Sequence, residues 1–238
     1  MKRYCSIISI LFAVLCLAAC NKENAEDSNV PKGAVDLGLS VYWGECNLGA
    51  TTPEGYGDRY AWGERTAKTD FTLYNYSYYT SGDIETHNTG QSNIHFSKYT
   101  PWFKNADTKT RLDLDDDAAH VKIGGKWRIP TMSECEELIE KCTWTRTTRN
   151  GVNVFEVKSN INGAIIYFPL PGVIDETGWV AEKYGVYWTA DMSTGSDSWG
   201  HIFFMVKNEV GSKENIIDVR SRSYERWYGL PIRPISEK

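Results

Sequence analysis

The feature that most limits the fold is one amphipathic helix placed between strand-forming segments. Thr131 and Glu134 have the spacing of a capping box, in which the two side chains bond free backbone N–H groups at a helix start. Cys135, Leu138, Ile139 and Cys142 follow at helical spacing and predict one apolar face. This segment is the best-defined helix that the sequence predicts.

A second, shorter helix is predicted just before it. The acidic residues 115–117 precede Ala118 and Ala119, and carboxylates are favourable at the positive end of a helix. Gly124 and Gly125 end the segment.

Short apolar runs separated by turn residues indicate strands on both sides of these helices. Residues 35–48 have strand character before them. Six runs follow, at 154–157, 165–170, 186–189, 202–206, 216–219 and 230–235. Strands before and after a compact pair of helices predict an α+β fold with mostly antiparallel strands rather than alternating α/β.

Residues 66–100 interrupt this pattern with a stretch rich in Tyr, Ser, Thr and Asn and without sustained periodicity. We interpret it as a polar, aromatic insertion. Its aromatic density argues against disorder, because the rings need a surface on which to pack.

The first twenty residues have the features of an export signal. Lys2 and Arg3 are followed by the apolar run 7–17, which is shorter than the roughly 20 residues that a membrane-spanning helix needs. The ending Leu17-Ala18-Ala19-Cys20 resembles the lipobox of bacterial lipoproteins, in which the cysteine is acylated and the chain is cut before it. We therefore predict a signal peptide at 1–19 and a lipid such as palmitate on Cys20. The alternative is an ordinary secretory signal cut after Ala19.

Residues 20–34 are predicted to be the lipidated cysteine and a flexible tether, and residues 35–238 a single domain. Lys22-Glu23 and Glu26-Asp27 resemble the charged segment that sends lipoproteins of Bacteroides-like bacteria to the cell surface. This predicts an outer-membrane lipoprotein facing the exterior. A solvated leader at the periplasmic face is the alternative.

The charge balance bears on possible partners. The chain has 26 Lys and Arg against 31 Asp and Glu, a net charge of −5, with no basic block. Nucleic-acid binding needs clustered positive charge, so no nucleic-acid partner is expected. No second apolar stretch reaches transmembrane length, so the lipid is the expected membrane contact.

A series of motifs resembles the Fibrobacter succinogenes major paralogous domain family of lipoproteins and covers nearly all of the chain after the tether. In order, the motifs are Asp36-Leu37-Gly38-Leu39-Ser40-Val41, Cys46-Asn47-Leu48-Gly49-Ala50, Tyr60-Ala61-Trp62-Gly63-Glu64, Asp116-Asp117-Ala118-Ala119, Gly124-Gly125-Lys126-Trp127-Arg128-Ile129-Pro130-Thr131, Cys142-Thr143-Trp144, Tyr187-Trp188 and Arg233-Pro234. The most specific segment is Trp-Arg-Ile-Pro-Thr. The resemblance implies a C-type-lectin-like fold, related to the formylglycine-generating-enzyme branch, and a protein that is not an enzyme.

Three cysteines stay available for pairing in an oxidising compartment: Cys46, Cys135 and Cys142. On one intact helix Cys135 and Cys142 would lie about 10.5 Å apart along the axis, whereas a disulfide needs Cα atoms within about 7 Å. Cys46 must then take one of the two or stay reduced. The family resemblance implies a Cys46–Cys142 disulfide and leaves Cys135 as a buried free thiol.

The sequence predicts neither a metal site nor an established catalytic motif. Residues 113–117 place acids at alternate positions, but an EF-hand would need Gly at Ala118 and Glu at Gly124, so a helix start is the better interpretation. No metal and no cofactor is predicted. Established hydrolase and nucleotide-binding motifs are missing. No cysteine follows Cys142, whereas the formylglycine-generating branch uses a cysteine pair late in the fold. The four histidines (His87, His95, His120, His201) lie in unrelated contexts. Asp58 and Glu64 form a weak candidate pair for glycoside hydrolysis.

The last third of the chain holds the candidate binding residues. They combine aromatic contact area with directional polar groups: Asp191, Ser193, Asp197, Ser198, Trp199 and His201, then Arg220, Arg222, Tyr224, Arg226, Trp227 and Tyr228. The alternative is that Trp199 and Trp227 are core residues and that the arginines form a solvated face.

The sequence therefore predicts an envelope-anchored, non-enzymatic binding module for a protein or for a glycan bound without calcium. Two alternatives are an enzyme or enzyme accessory acting on envelope or dietary polysaccharide, and a structural subunit of an envelope assembly.

Overall fold

A computed structural model describes residues 29–82, 94–101, 107–178, 184–193, 196–207, 215–218 and 223–238. The signal peptide, Cys20 and most of the tether lie outside these ranges. Within them the fold is α+β, with two short α-helices and antiparallel strands. The predicted fold class is confirmed at this level.

Both helices begin as the sequence predicts. Helix α1 spans Ala118–Ile123, and the Asp117 carboxylate caps it by accepting hydrogen bonds from the backbone N–H groups of Ala119 and His120. Helix α2 spans Met132–Lys141, and its capping box between Thr131 and Glu134 is present in both directions. Two 3₁₀ turns, Leu73–Asn75 and Leu114–Asp116, complete the helical structure of the described residues.

Helix α2 ends one residue before the apolar pattern does. Cys142 has extended backbone angles and opens a strand by pairing with Ser159. The placement of Cys142 on the helix was therefore wrong. The β-branched threonines 143, 145, 147 and 148 that follow it favour extended structure.

Thirteen strands are described, in four sheets. The first sheet has the order β1-β2-β13-β5, formed by Ala34–Val35, Val41–Gly44, Ile235–Glu237 and Trp127–Arg128. Strands β3 (Tyr79–Ser81) and β4 (His95–Phe96) form a small hairpin. A third sheet runs β6-β7-β8, formed by Cys142–Arg149, Val152–Ser159 and Ile165–Pro169. In the fourth, β10 (Trp199–Lys207) pairs with β9 (Tyr184–Met192), β11 (Asn215–Asp218) and β12 (Ser223–Glu225).

The predicted strands of the second half are confirmed, apart from the run 230–235: β7, β9 and β10 are longer than their predicted runs, β8 ends one residue earlier, and β11 begins one residue earlier. Only the last residue of the run 230–235, Ile235, belongs to a strand, β13. Pro231 and Pro234 explain the difference, because proline has no N–H group to donate to a ladder.

Strands β9 and β10 separate two apolar cores. Val186, Trp188 and Ile202 pack into one core, while Tyr187 and Phe203 pack into the other. Successive side chains of a strand point to opposite faces, so one sheet supplies both cores.

The described parts of the aromatic insertion belong to the first core. Phe71, Leu73, Tyr76, Ile94 and Tyr99 are almost fully buried there. The expectation that these rings need a packing surface is therefore confirmed, and this segment is part of the domain's interior.

Two arginines are buried without a carboxylate among their hydrogen-bond partners in the described chain. Arg226 donates from Nε to the Tyr76 hydroxyl (2.8 Å) and from its terminal nitrogens to the carbonyls of Lys98, Tyr99 and Asp197 (2.8–3.0 Å). Its guanidinium also lies 4.5–5.8 Å from the ring centroids of four aromatic residues, Trp62, Tyr76, Tyr78 and Phe96.

Arg233 is held in the same manner in the other half of the fold. Its Nε donates to the Asn47 side-chain oxygen (2.9 Å), and its terminal nitrogens donate to the carbonyls of Gly44, Glu45 and Tyr167. Burial lowers the pKa of Arg233. Each arginine therefore ties together segments that are far apart in the sequence.

The implied disulfide between Cys46 and Cys142 is not formed, and all three cysteines of the described chain are free. Burial and the charge of Glu137 raise the pKa of the Cys142 thiol to about 11. Glu137 accepts a hydrogen bond from the Ser40 N–H, just before β2, whereas Cys46 follows the far end of β2. The extended residues of β2 therefore separate the two thiols, at about 3.3 Å per residue. Cys135 is fully buried, as expected.

Cysteine mapping tests this arrangement. Alkylation of the denatured chain without reductant is expected to modify the peptides of Cys46, Cys135 and Cys142 completely, because no thiol is bonded. In the native chain Cys135 is expected to react last, since it is fully buried. A disulfide-linked pair of Cys46 and Cys142 peptides would contradict the structure.

Replacement of Arg226 tests the buried arginine. Arg226→Met is expected to lower the free energy of unfolding by about 3 kcal/mol or more, because three carbonyls and a phenol lose their donors inside the core. Chemical denaturation measures the shift in midpoint. Arg146→Met, at a half-buried position of β6, is the matched control and should shift stability by only about 0.5 kcal/mol. Equal shifts for the two variants would refute the role given to Arg226.

Candidate ligand-binding cavity

Part of the predicted binding set lies outside the described residues. Cys20, Arg220 and Arg222 fall in undescribed ranges, and His201 is described only as backbone of β10. The candidate site is therefore built from other residues.

Most of the other predicted residues support the fold from inside. Ser193, Asp197 and Trp227 are buried, and Trp227 donates from Nε1 to Glu176 at 3.1 Å. Asp191 accepts hydrogen bonds from Arg111 and from the backbone N–H of Met132, both at 2.6 Å, and so holds the start of α2. These four side chains do not form an exposed binding face, which corrects the sequence-based set.

Trp199 is the exception, because 38% of its surface is exposed. It lies opposite Glu225 on β12, so the two side chains share the outer face of that strand pair. Tyr224, opposite Gly200, packs against the first core, where a Cβ on Gly200 would lie 2.9 Å from Trp62.

A polar cavity of about 330 Å³ lies in the middle of the chain instead, and we call it the Glu64–Asp116 cavity. Apart from Gly63 and the Tyr78 ring, its lining consists of charged or polar side chains: Glu64, Arg65, Thr66, Lys68, Asn75, Ser77, Lys98 and Asp116. Cavities of this size are at the lower end of those that hold small ligands.

One wall is built around the buried carboxylate of Glu64. Its Oε1 accepts hydrogen bonds from the N–H and the hydroxyl of Ser77, at 2.7 and 2.8 Å. Its Oε2 pairs with Lys68 Nζ at 2.8 Å, and Lys68 also donates to both oxygens of Asn75. These contacts join the loop after Trp62 to the 3₁₀ turn at 73–75.

The opposite wall is built around the buried carboxylate of Asp116. Lys98 Nζ lies 2.8 and 3.0 Å from its two oxygens, and the Tyr99 hydroxyl donates to Oδ2 at 2.7 Å. Burial raises the pKa of Asp116, but the hydrogen bonds from Lys98 and Tyr99 and the charge of Lys98 outweigh it and lower the pKa overall. Asp116 is therefore a charged hydrogen-bond acceptor and is poorly suited to act as a general acid.

Tyr78 connects the two walls. Its hydroxyl donates to the carbonyl of Gly63 at 2.8 Å, and Lys98 Nζ lies 5.4 Å from the centre of its ring. Gly63 has a left-handed backbone (φ +79°), and a Cβ there would come within 2.8 Å of the ring. The buried Arg226 donates hydrogen bonds to the carbonyls of Lys98 and Tyr99 and so holds these two wall residues in place.

The carboxylate pair considered for glycoside hydrolysis is not brought together in this cavity. Asp58 lines a separate cavity of about 280 Å³ and accepts a hydrogen bond from Tyr60 at 3.2 Å. Glu64 shares its cavity with Asp116 instead. The sequence offers no signal for this pairing, because the acidic run that contains Asp116 is best interpreted as a helix start.

The acidic run at 113–117 has structural partners. Asp117 caps α1 and accepts the Ile129 N–H at 2.7 Å, and Asp116 pairs with Lys98. The helix-start interpretation is confirmed. In the described ranges no group of three His, Cys, Asp or Glu side chains could hold a metal ion. No helix of those ranges is long and apolar enough to cross a membrane.

In comparisons with protein-family models, curated proteins and solved structures, no match to this chain was found. The resemblance of its motifs to the Fibrobacter succinogenes major paralogous domain family stays a prediction, and so does the C-type-lectin-like fold.

Proposed function

We propose that this protein is an envelope-anchored, non-enzymatic lipoprotein whose domain binds a glycan in the Glu64–Asp116 cavity. The observation that carries the proposal is a preformed polar cavity whose buried charges are already neutralised in place. A site of this kind needs little rearrangement when a ligand enters, which reduces the cost of binding.

The chemistry of the lining favours a hydroxylated ligand over an apolar one. Glu64 and Asp116 are acceptors, while Thr66 and Ser77 have hydroxyls that can donate or accept. Tyr78 adds an aromatic surface. A sugar presents many hydroxyls to such groups, so we favour the glycan class over a protein surface as the ligand.

The same cavity argues against the enzymatic alternative. Hydrolysis of a glycoside by two carboxyl groups needs one with a raised pKa to act as the acid. The pKa of Asp116 is lowered instead, and Glu64, the other carboxylate of the cavity, forms an ion pair with Lys68.

Contacts among the motif residues support the C-type-lectin-like fold. Trp62 Nε1 donates to the carbonyl of Thr189 (2.9 Å), and Trp188 Nε1 donates to the carbonyl of Tyr60 (2.7 Å). Arg233 bonds Asn47, as described above. Residues of different motifs, or next to them, thus hydrogen-bond one another inside the fold. Such contacts are expected when the motifs of a family specify its architecture.

Removal of the lipid-bearing cysteine tests the anchor. Cys20→Ala is expected to abolish labelling by a palmitate analogue and to release the chain from membranes, because the lipid is the proposed membrane contact. Cys46→Ala, which changes a cysteine of the folded domain, is the matched control and should stay labelled and membrane-bound. A Cys20→Ala chain that still took up the label would refute the anchor.

A glycan array tests the binding function. The full chain in detergent is expected to retain specific glycans. Asp116→Asn is expected to weaken that retention about tenfold or more, because the wall loses the carboxylate that holds Lys98 and Tyr99 in place. Glu140→Gln, on the exposed side of α2, is the matched control and should bind normally. Turnover of an arrayed polysaccharide, or retention that ignores Asp116→Asn, would contradict the proposal.

A further inference from the structure

We infer that the ligand of the Glu64–Asp116 cavity carries a single negatively charged oxyanion, a carboxylate or a sulfate, next to its hydroxyl groups. The inference rests on the proposed binding function. It narrows the ligand class from glycans in general to acidic ones.

The charges of the lining do not cancel. Arg65, Lys68 and Lys98 supply three positive charges, and Glu64 and Asp116 supply two negative ones. The cavity therefore has an excess of one positive charge, on a protein whose net charge is −5. An excess of positive charge among the lining residues favours a ligand of opposite charge.

The excess lies with Arg65 and Lys98. All three donors of Lys68 are used, one by Glu64 and two by the oxygens of Asn75. Lys98 makes two contacts with Asp116, and 48% of its side chain is exposed, so one N–H stays open to the cavity. Arg65 is exposed and has neither a hydrogen-bond nor an ion-pair partner within the described part of the chain.

The geometry of these groups selects the type of anion. A guanidinium binds a carboxylate or a sulfate through two parallel hydrogen bonds, and the ammonium of Lys98 adds a point charge. A phosphate monoester carries close to two negative charges near pH 7. Its second charge would face the carboxylates of Glu64 and Asp116 without a further cation among the lining residues.

The neutral lining accounts for the rest of the ligand. The Ser77 hydroxyl donates to Glu64, so its lone pairs face outward as acceptors for a ligand hydroxyl. The Thr66 hydroxyl belongs to the same lining. The combination of one anion and several hydroxyls is the chemistry of uronic acids and sulfated sugars.

The test uses the full chain in detergent on an array that pairs each neutral oligosaccharide with its hexuronate, sulfate-ester and phosphate-ester forms. We expect retention on the hexuronate or sulfate forms. We expect Arg65→Gln to weaken it about tenfold or more, and Arg65→Lys to restore part of it. Added salt should weaken binding to the acidic forms. Arg146→Gln, an arginine outside the cavity, is the matched control.

The outcomes separate the inference from the proposed function. The first outcome is equal retention of neutral and acidic forms, which does not change in Arg65→Gln but is lost in Asp116→Asn. This outcome would overturn the inference and leave the binding function standing. Preference for the phosphate esters would also overturn it. Retention of no saccharide at all would overturn both.

Discussion

The burial of two arginines imposes the strictest constraint on this structure. A guanidinium can be taken out of water only when its donors meet acceptors, and Arg226 and Arg233 each place four N–H groups on oxygens. Most of these oxygens are backbone carbonyls, so the chain path itself is fixed around each side chain. Arg226 joins the segments at Tyr76, Lys98–Tyr99 and Asp197, which are distant in sequence. The aromatic rings around it exclude water and strengthen these bonds.

The cavity depends on this framework. Lys98 and Tyr99 supply carbonyls to Arg226 and side-chain donors to Asp116, so the same two residues belong to the core and to the cavity wall. A wall of this kind cannot move without breaking buried hydrogen bonds. Glu64 is held in a comparable way from the other side by Ser77 and Lys68. Because both carboxylates are neutralised by their own lysines, the Arg65 guanidinium and the unused N–H of Lys98 are left for the proposed ligand.

Short-range sequence patterns predicted the local structure well, but they could not predict contacts between residues that are far apart in the sequence. The two helix starts at Asp117 and Thr131 could be predicted because capping depends on residues only two or three positions apart. The end of α2 was misplaced by one residue, since apolar periodicity continued through Cys142 into a threonine-rich strand. The cavity could not be predicted, because Glu64 and Asp116 are brought together only by the tertiary fold. The burial of Arg226 could not be predicted either, because sequence alone does not show which carbonyls a guanidinium will reach.

The described residues in the last third of the chain contribute more to the two cores than to an exposed surface. Strands β9 and β10 supply both cores, and Arg226 and Trp227 lie inside, so substitutions there change buried contacts. The loop at Arg65 and Thr66 faces solvent and lines the cavity without a buried contact of its own. Substitutions in this loop can therefore change ligand preference at little cost to stability. Surface substitutions away from caps and buried networks shift the free energy of unfolding by only about 0.5 kcal/mol. A rigid frame with an exposed rim that tolerates substitution is the arrangement that the proposed binding function needs.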